Sequence, residues 1–171
     1  MKNTKILIIR TDHIGDITLT LPLAAEIKKY NPQYSVHFLV TRYTKPLVEL
    51  NKHIDKIYCI EDFSFLKLLT LFSKEKFNYV LNVYPRAKFA WVSFLAMVEH
   101  RIGTGYRWYS FLFNKKVYEH RKSGEKHELE YNFALLKYFD IKHTPDYTDV
   151  DFSIQPTDND LLKVEDIFTE F

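Results

Sequence analysis

Glycine is scarce in this chain and widely scattered: four residues in 171, at positions 15, 103, 105 and 124. That scarcity excludes the loops in which backbone amides wrap a phosphate. A dinucleotide fingerprint needs three glycines after its first strand, and a P-loop is likewise missing. Cysteine is scarcer still. Cys59 alone permits no internal disulfide and fits a reducing compartment; within the apolar run "KIYCI" it reads as a buried, unreactive thiol. The seven histidines show neither HxxxH nor cysteine-paired spacing, so no metal site is expected. Long apolar runs are lacking too, since about 20 residues are needed to cross a bilayer. The run "ILII" is cut short by Arg10 and Asp12, and "FAWVSFLAMV" has only ten residues. Neither a secretory signal nor a membrane span is expected, and the chain reads as soluble and cytoplasmic.

What is present suits one globular domain, because a chain of this length buries roughly 70% of its unfolded surface. The net charge of +2 hides an asymmetry. Residues 1–140 carry 22 Lys and Arg against 14 Asp and Glu, whereas residues 141–171 carry 2 against 8. A basic body followed by an acidic tail favours anionic partners such as phosphates or acidic head groups. The basic, aromatic segment "YRWYSF" matches no nucleic-acid-recognition motif, and nucleic acid is not an expected partner.

Strand-like and helix-like runs alternate along the chain. "KILIIR", "SVHFLV", "DKIYCI", "NYVLNV" and "EHRIGT" read as strands, the first apolar throughout, as in a strand buried on both faces. Helical spacing marks "LPLAAEIKKYN", "TKPLVELN", "SFLKLLTLFSKEK", "AKFAWVSFLAMV" and "HELEYNFALLKYF". Pro22 either opens its helix or kinks one that begins at Gly15. The alternation predicts an α/β fold, a doubly wound, mainly parallel sheet with helices on both faces. Ligands of such sheets bind beyond the carboxyl ends of the strands. The segments 10–16, 41–42 and 84–88 should therefore gather on one rim.

Asp16 follows Gly15 in the turn after the first strand, "RTDHIGD". It could cap a helix, where the dipole favours an acid, or hold a ligand. It could also take a proton from a bound hydroxyl. Gly15 beside it would let a substrate approach the backbone closely.

The stretch "ILIIRTDHIGDITLTLPLAAEIKKYNP" resembles the opening of the family 9 glycosyltransferases, the lipopolysaccharide heptosyltransferases. The likeness continues through "HIDKI", "FNYVLNV", "HRIGTG", "FNKKV" and "KHELEYNFALLKYFDI", in the family's order. The turn Thr11-Asp12-His13-Ile14 departs from the small hydroxyl residues many members have, and "NVYPRAK" stands where "DxQGxxKS" is commoner. Both departures lie where an acceptor would sit.

The resemblance implies a Rossmann-like domain, the N-terminal, acceptor-binding half of a two-domain GT-B enzyme. Residues 1–156 would form that domain, and residues 157–171 an acidic helix or linker leading to a second, donor-binding domain outside these residues. The implied reaction is inverting transfer of heptose or a similar sugar from an ADP-sugar to lipopolysaccharide core. No other cofactor is implied. Asp16 would be the catalytic base. Arg10, Gly15, Thr11, Asp12, His13, Lys88 and Lys115 would contact the acceptor, with Arg10, Lys88 and Lys115 on its phosphates. His127 and Glu130 match a conspicuous pair at the start of the late helix. The partners would be the core and lipid A acceptor and an ADP-heptose-type donor, with peripheral contact to the inner membrane surface. The 171 residues alone would turn over little or nothing. The rival reading is a non-catalytic acceptor-binding or assembly module of the same fold.

Overall fold

A computed structural model describes residues 4–119, 126–139 and 149–156, together with Asp158, Asp160 and Leu161. Most of the expected acidic helix 157–171 thus lies outside the described residues.

The apolar run at the start forms β1 (Lys5–Ile9), with Ile6 to Ile9 fully buried. Side chains alternate across a strand. Ile6 and Ile8 accordingly enter one core cluster, with Ala24, Ile27 and Leu136, while Leu7 and Ile9 enter another, with Leu68, Phe72, Phe89 and Val92. Burial on both faces explains why the strand is apolar throughout. Around it lie β2 (Ser35–Val40), β3 (Lys56–Cys59), β4 (Tyr79–Asn82), β5 (His100–Thr104) and β6 (Lys115–Val117). All neighbours pair in parallel, in the order β3-β2-β1-β4-β5-β6. This is the Rossmann strand order, and it reverses direction between β1 and β4.

The helices are α1 (Ile14–Thr18), α2 (Pro22–Tyr30), α3 (Lys45–Glu49), α4 (Phe65–Glu75), α5 (Ala87–Leu95) and α6 (Glu128–Phe133). Residues of α2 and α6 pack on the Ile6/Ile8 face and those of α4 and α5 on the Leu7/Ile9 face, so the sheet is covered on both sides. Pro22 opens α2, and α1 is a separate short helix before it. Proline suits that first position because its missing N–H would have had no helical partner. In α4, Leu68 and Phe72 point one turn apart into the core, and Ser64 caps the start by accepting from the Lys67 N–H at 3.4 Å. Residues 152–155 return to the end of α3, where the Gln155 N–H donates to the Leu50 carbonyl at 3.0 Å.

Two expectations need correction. β6 was not anticipated, since "KKV" is too short to show alternation and begins with two lysines. "HELEYNFALLKYF" is not one α-helix: α6 stops at Phe133 and a 3₁₀ segment runs over Ala134–Phe139. Among the described residues no helix is long and apolar enough to cross a membrane.

Candidate functional site

The turn after β1 is organised by one buried guanidinium. Arg10 extends the strand, its N–H donating to the Leu39 carbonyl at 3.1 Å, and its side chain is 2% exposed. Nε donates to Asp12 Oδ1 at 2.7 Å and Nη1 to Glu128 Oε1 at 3.0 Å, while Nη2 forms an ion pair with Asp16 Oδ1 at 2.6 Å. Nη1 also faces Asn132 Oδ1 at 3.5 Å. A buried arginine needs such partners, because an unpaired charge out of water is costly. Three carboxylates around one guanidinium nonetheless leave the cluster with excess negative charge.

The three acids differ in access. Asp12 is 8% exposed at its side chain, and burial pushes its carboxyl up, against the opposing pull of Arg10. Asp16 is 33% exposed, so its carboxylate combines a fixed anchor with an open side. It lies in the first turn of α1, whose cap position is His13; Asp16 is therefore a first-turn acid and not the cap.

The cleft beside it, about 540 Å³, opens where the strand order reverses, with Arg10, Asp16 and Glu128 on one wall and Arg86, Arg107 and Trp108 among its other lining residues. This is the position at which open α/β sheets bind ligands. Arg86 is anchored by Tyr84, with Nη2 donating to the Tyr84 hydroxyl at 2.7 Å and the guanidinium 4.6 Å from the ring centre. Among the described residues, no set of three His, Cys, Asp or Glu groups is arranged to hold a metal ion.

The residues expected from sequence divide accordingly. Arg10, Asp12 and Asp16 meet in this cleft. Gly15 is exposed next to Asp16, and a Cβ there would meet nothing within 4 Å, so close approach from outside is open. Thr11 is partly buried and His13 exposed in the same turn. Arg10, expected on acceptor phosphates, instead has its guanidinium buried and directed at carboxylates. Lys88 is exposed in the first turn of α5, next to the lining residues Arg86 and Ala87 but not among them. Lys115 stands apart: it opens β6 and its ammonium lies 5.4 Å from the Tyr138 ring centre. Arg42, expected on the rim, pairs with Asp62 at 2.6 Å.

Sequence reading missed Glu128, Asn132 and Arg107, whereas Arg86 lies in the segment 84–88 that was expected on the rim, without having been singled out. A signal for the first two existed. His127 and Glu130 close a capping box, with the Leu129 N–H donating to His127 Nδ1 at 3.2 Å and the His127 N–H to Glu130 Oε2 at 2.8 Å. That box fixes the start of α6, and Glu128 and Asn132, four residues apart, then share the face that meets Arg10.

Fold and cleft together define a Rossmann-like α/β domain with a guanidinium-anchored carboxylate at its topological switch point. Its structural neighbours are family 9 glycosyltransferases, heptosyltransferases among them. The glycosyl transferase family 9 protein of Veillonella parvula matches with a TM-score of 0.75 at 17% identity, over 98% of this chain and 49% of that one. The E. coli ADP-heptose lps heptosyltransferase II gives 0.75 at 21% identity, over 97% and 51%. E. coli heptosyltransferase WaaC, in complex with ADP-2-deoxy-2-fluoro heptose, gives 0.68 at 17%, over 88% and 52%. In sequence, the chain is 30% identical over 146 residues to a Haemophilus influenzae protein named "Putative glycosyltransferase", spanning 81% of this chain and 41% of that protein. No protein-family model matches. The chain thus spans about half the length of the proteins it is similar to.

Proposed function

We propose that this chain is the N-terminal, acceptor-binding half of an inverting family 9 glycosyltransferase, with Asp16 as its general base. The observation that carries the proposal is the Asp16 carboxylate, held at 2.6 Å by Arg10 and open to the cleft at the switch point. An acceptor hydroxyl placed against Asp16 gives up its proton as its oxygen attacks the anomeric carbon of the donor sugar. The bond from that carbon to the diphosphate breaks on the opposite face, and the nucleoside diphosphate departs with the electron pair. Arg10 fixes the direction of the carboxylate. Arg86 and Arg107 supply the exposed positive charge that an anionic acceptor requires.

The finer assignment is heptose, or a similar sugar, moved from an ADP-sugar to a phosphorylated lipopolysaccharide core. It is supported by the likeness to heptosyltransferases, one of them in complex with an ADP-heptose analogue. A second domain would hold that donor, with the acceptor presented at the inner membrane surface.

The test joins this chain to a donor-binding domain and follows sugar transfer to core oligosaccharide. Asp16→Asn should lower turnover by roughly 10²–10⁴-fold, the usual worth of a general base, while acceptor binding is kept. Unchanged turnover in that variant would falsify the assignment. Acceptor binding without transfer by the parent protein would favour a non-catalytic binding module.

A further inference from the structure

Beside the cleft lies a second cavity, about 370 Å³, over the carboxyl ends of β4, β5 and β6 and against α6. The two compartments share Pro85 and Arg107. Nothing in the mechanism above uses the second one. It is a size that suits a small ligand, at the lower end of the roughly 300–1,000 Å³ typical of such sites.

We propose that this cavity is a second acceptor subsite, which holds the saccharide unit next to the one bearing the reactive hydroxyl; the inference rests on the acceptor-binding reading above. Its lining combines apolar and aromatic surface, from Leu135, Tyr106 and Tyr131, with the polar groups of Thr104 and Asn82. A sugar ring needs that mixture, with C–H faces for the apolar walls and hydroxyls for the polar groups.

Asn82 decides the chemistry. It ends β4, is 2% exposed, and both its amide nitrogen and its amide oxygen are buried without a hydrogen-bond partner among the described residues. A buried amide left unpaired is unfavourable, and it both donates and accepts. A hydroxyl also does both, and satisfies the amide directly or through a bridging water. A wholly apolar ligand would leave the amide as it is. Arg107, at the divide between compartments, is placed for an anionic substituent carried between the two sugar units.

The experiment titrates the isotopically labelled chain with a phosphorylated disaccharide, the matching monosaccharide phosphate and inorganic phosphate, following amide and methyl NMR signals. The disaccharide phosphate should move signals at Asp16 and Arg86 and also at Thr104 and Leu135. The monosaccharide phosphate should move only the first pair. Inorganic phosphate should leave Leu135 unmoved. Asn82→Leu should weaken the disaccharide phosphate by about tenfold, the worth of one well-made hydrogen bond. The same variant should leave Tm unchanged or higher, since the Asn82 side chain makes no hydrogen bond with the described residues. Equal affinity for disaccharide and monosaccharide phosphates, with Thr104 and Leu135 unmoved, overturns the subsite and leaves the acceptor cleft standing. Loss of Tm in Asn82→Leu with affinity unchanged assigns the amide a structural role and also overturns it. Absence of any saccharide-induced shift overturns the subsite and the acceptor reading together.

Discussion

At the scale of single residues, Arg10 and Asp16 divide between them what one acid alone could not do. Asp16 needs an anchor to be aimed and an open side to react; Arg10, 2% exposed, supplies the anchor and takes no part in contact with solvent. Arg10→Ala should therefore act on folding first. Removing the cation strands Asp12 in a buried site among like charges, and such a broken buried pair costs about 3–5 kcal/mol, measurable by urea denaturation. Asp16→Asn, at a third-exposed position, should leave stability nearly intact. A second residue-scale expectation concerns His37. Burial beside Phe77 and Tyr58 lowers its imidazole from the usual 6.5 to about 4. The unfolded chain then takes up this proton before the folded one does. His37's contribution is present above pH 6.5 and lost as pH falls through about 4. Tm measured against pH should show this loss, and His37→Phe should flatten it. Glu75 works in the same direction at lower pH. Its hydrogen bonds from Lys5 and Lys56 hold it at about 2, so its contribution, fully present above 4.5, is lost as pH falls from there through about 2.

At the scale of elements, the parts that proved legible are those with a strong period. β1, β2 and β4 are apolar runs buried between neighbours, and α2 and α4 carry clear amphipathic stripes. β6 escaped because three residues cannot display a period, and its place is set by tertiary pairing with β5 from Ile102 to Thr104. Gly103 belongs to that pairing in a second way. A Cβ on it would fall 2.5 Å from the Phe113 ring, so the ring packs on bare backbone. Gly103→Ala should cost about 1–3 kcal/mol as an overpacking change, seen as a lower Tm. In the cleft, Asp16 was legible because it follows the one glycine in the turn after a buried strand. Glu128 and Asn132 were not, because the capping box at His127 and Glu130 marks where α6 begins but nothing local shows that it meets residue 10. Arg107 was hidden for the same reason: its segment looks merely aromatic until β5 and β6 bring it over the carboxyl end of the sheet.

At the scale of the whole molecule, the charge asymmetry read from composition is sharpened by the fold. The acids near Arg10 gather around one internal cation, whereas Arg86 and Arg107 bring positive charge to the cleft on exposed side chains. Attraction of a polyanion should then depend on those two arginines and weaken with salt, as exposed charges are screened beyond about 8–10 Å at physiological strength. Replacing both by alanine should reduce binding of a phosphorylated oligosaccharide and abolish most of its salt dependence, which calorimetry at two salt concentrations would show.

The tie between Arg10 and Glu128 joins positions 118 residues apart. During synthesis, at about 5–20 residues per second, the guanidinium leaves the ribosome roughly 6–24 s before its last carboxylate partner does. A nascent chain can pair β1 with β2 and β4 in that interval while Arg10 still waits for α6. The setting of Asp16 is thus one of the last events in making this domain, and a product released before residue 128 carries the aspartate without its full mounting.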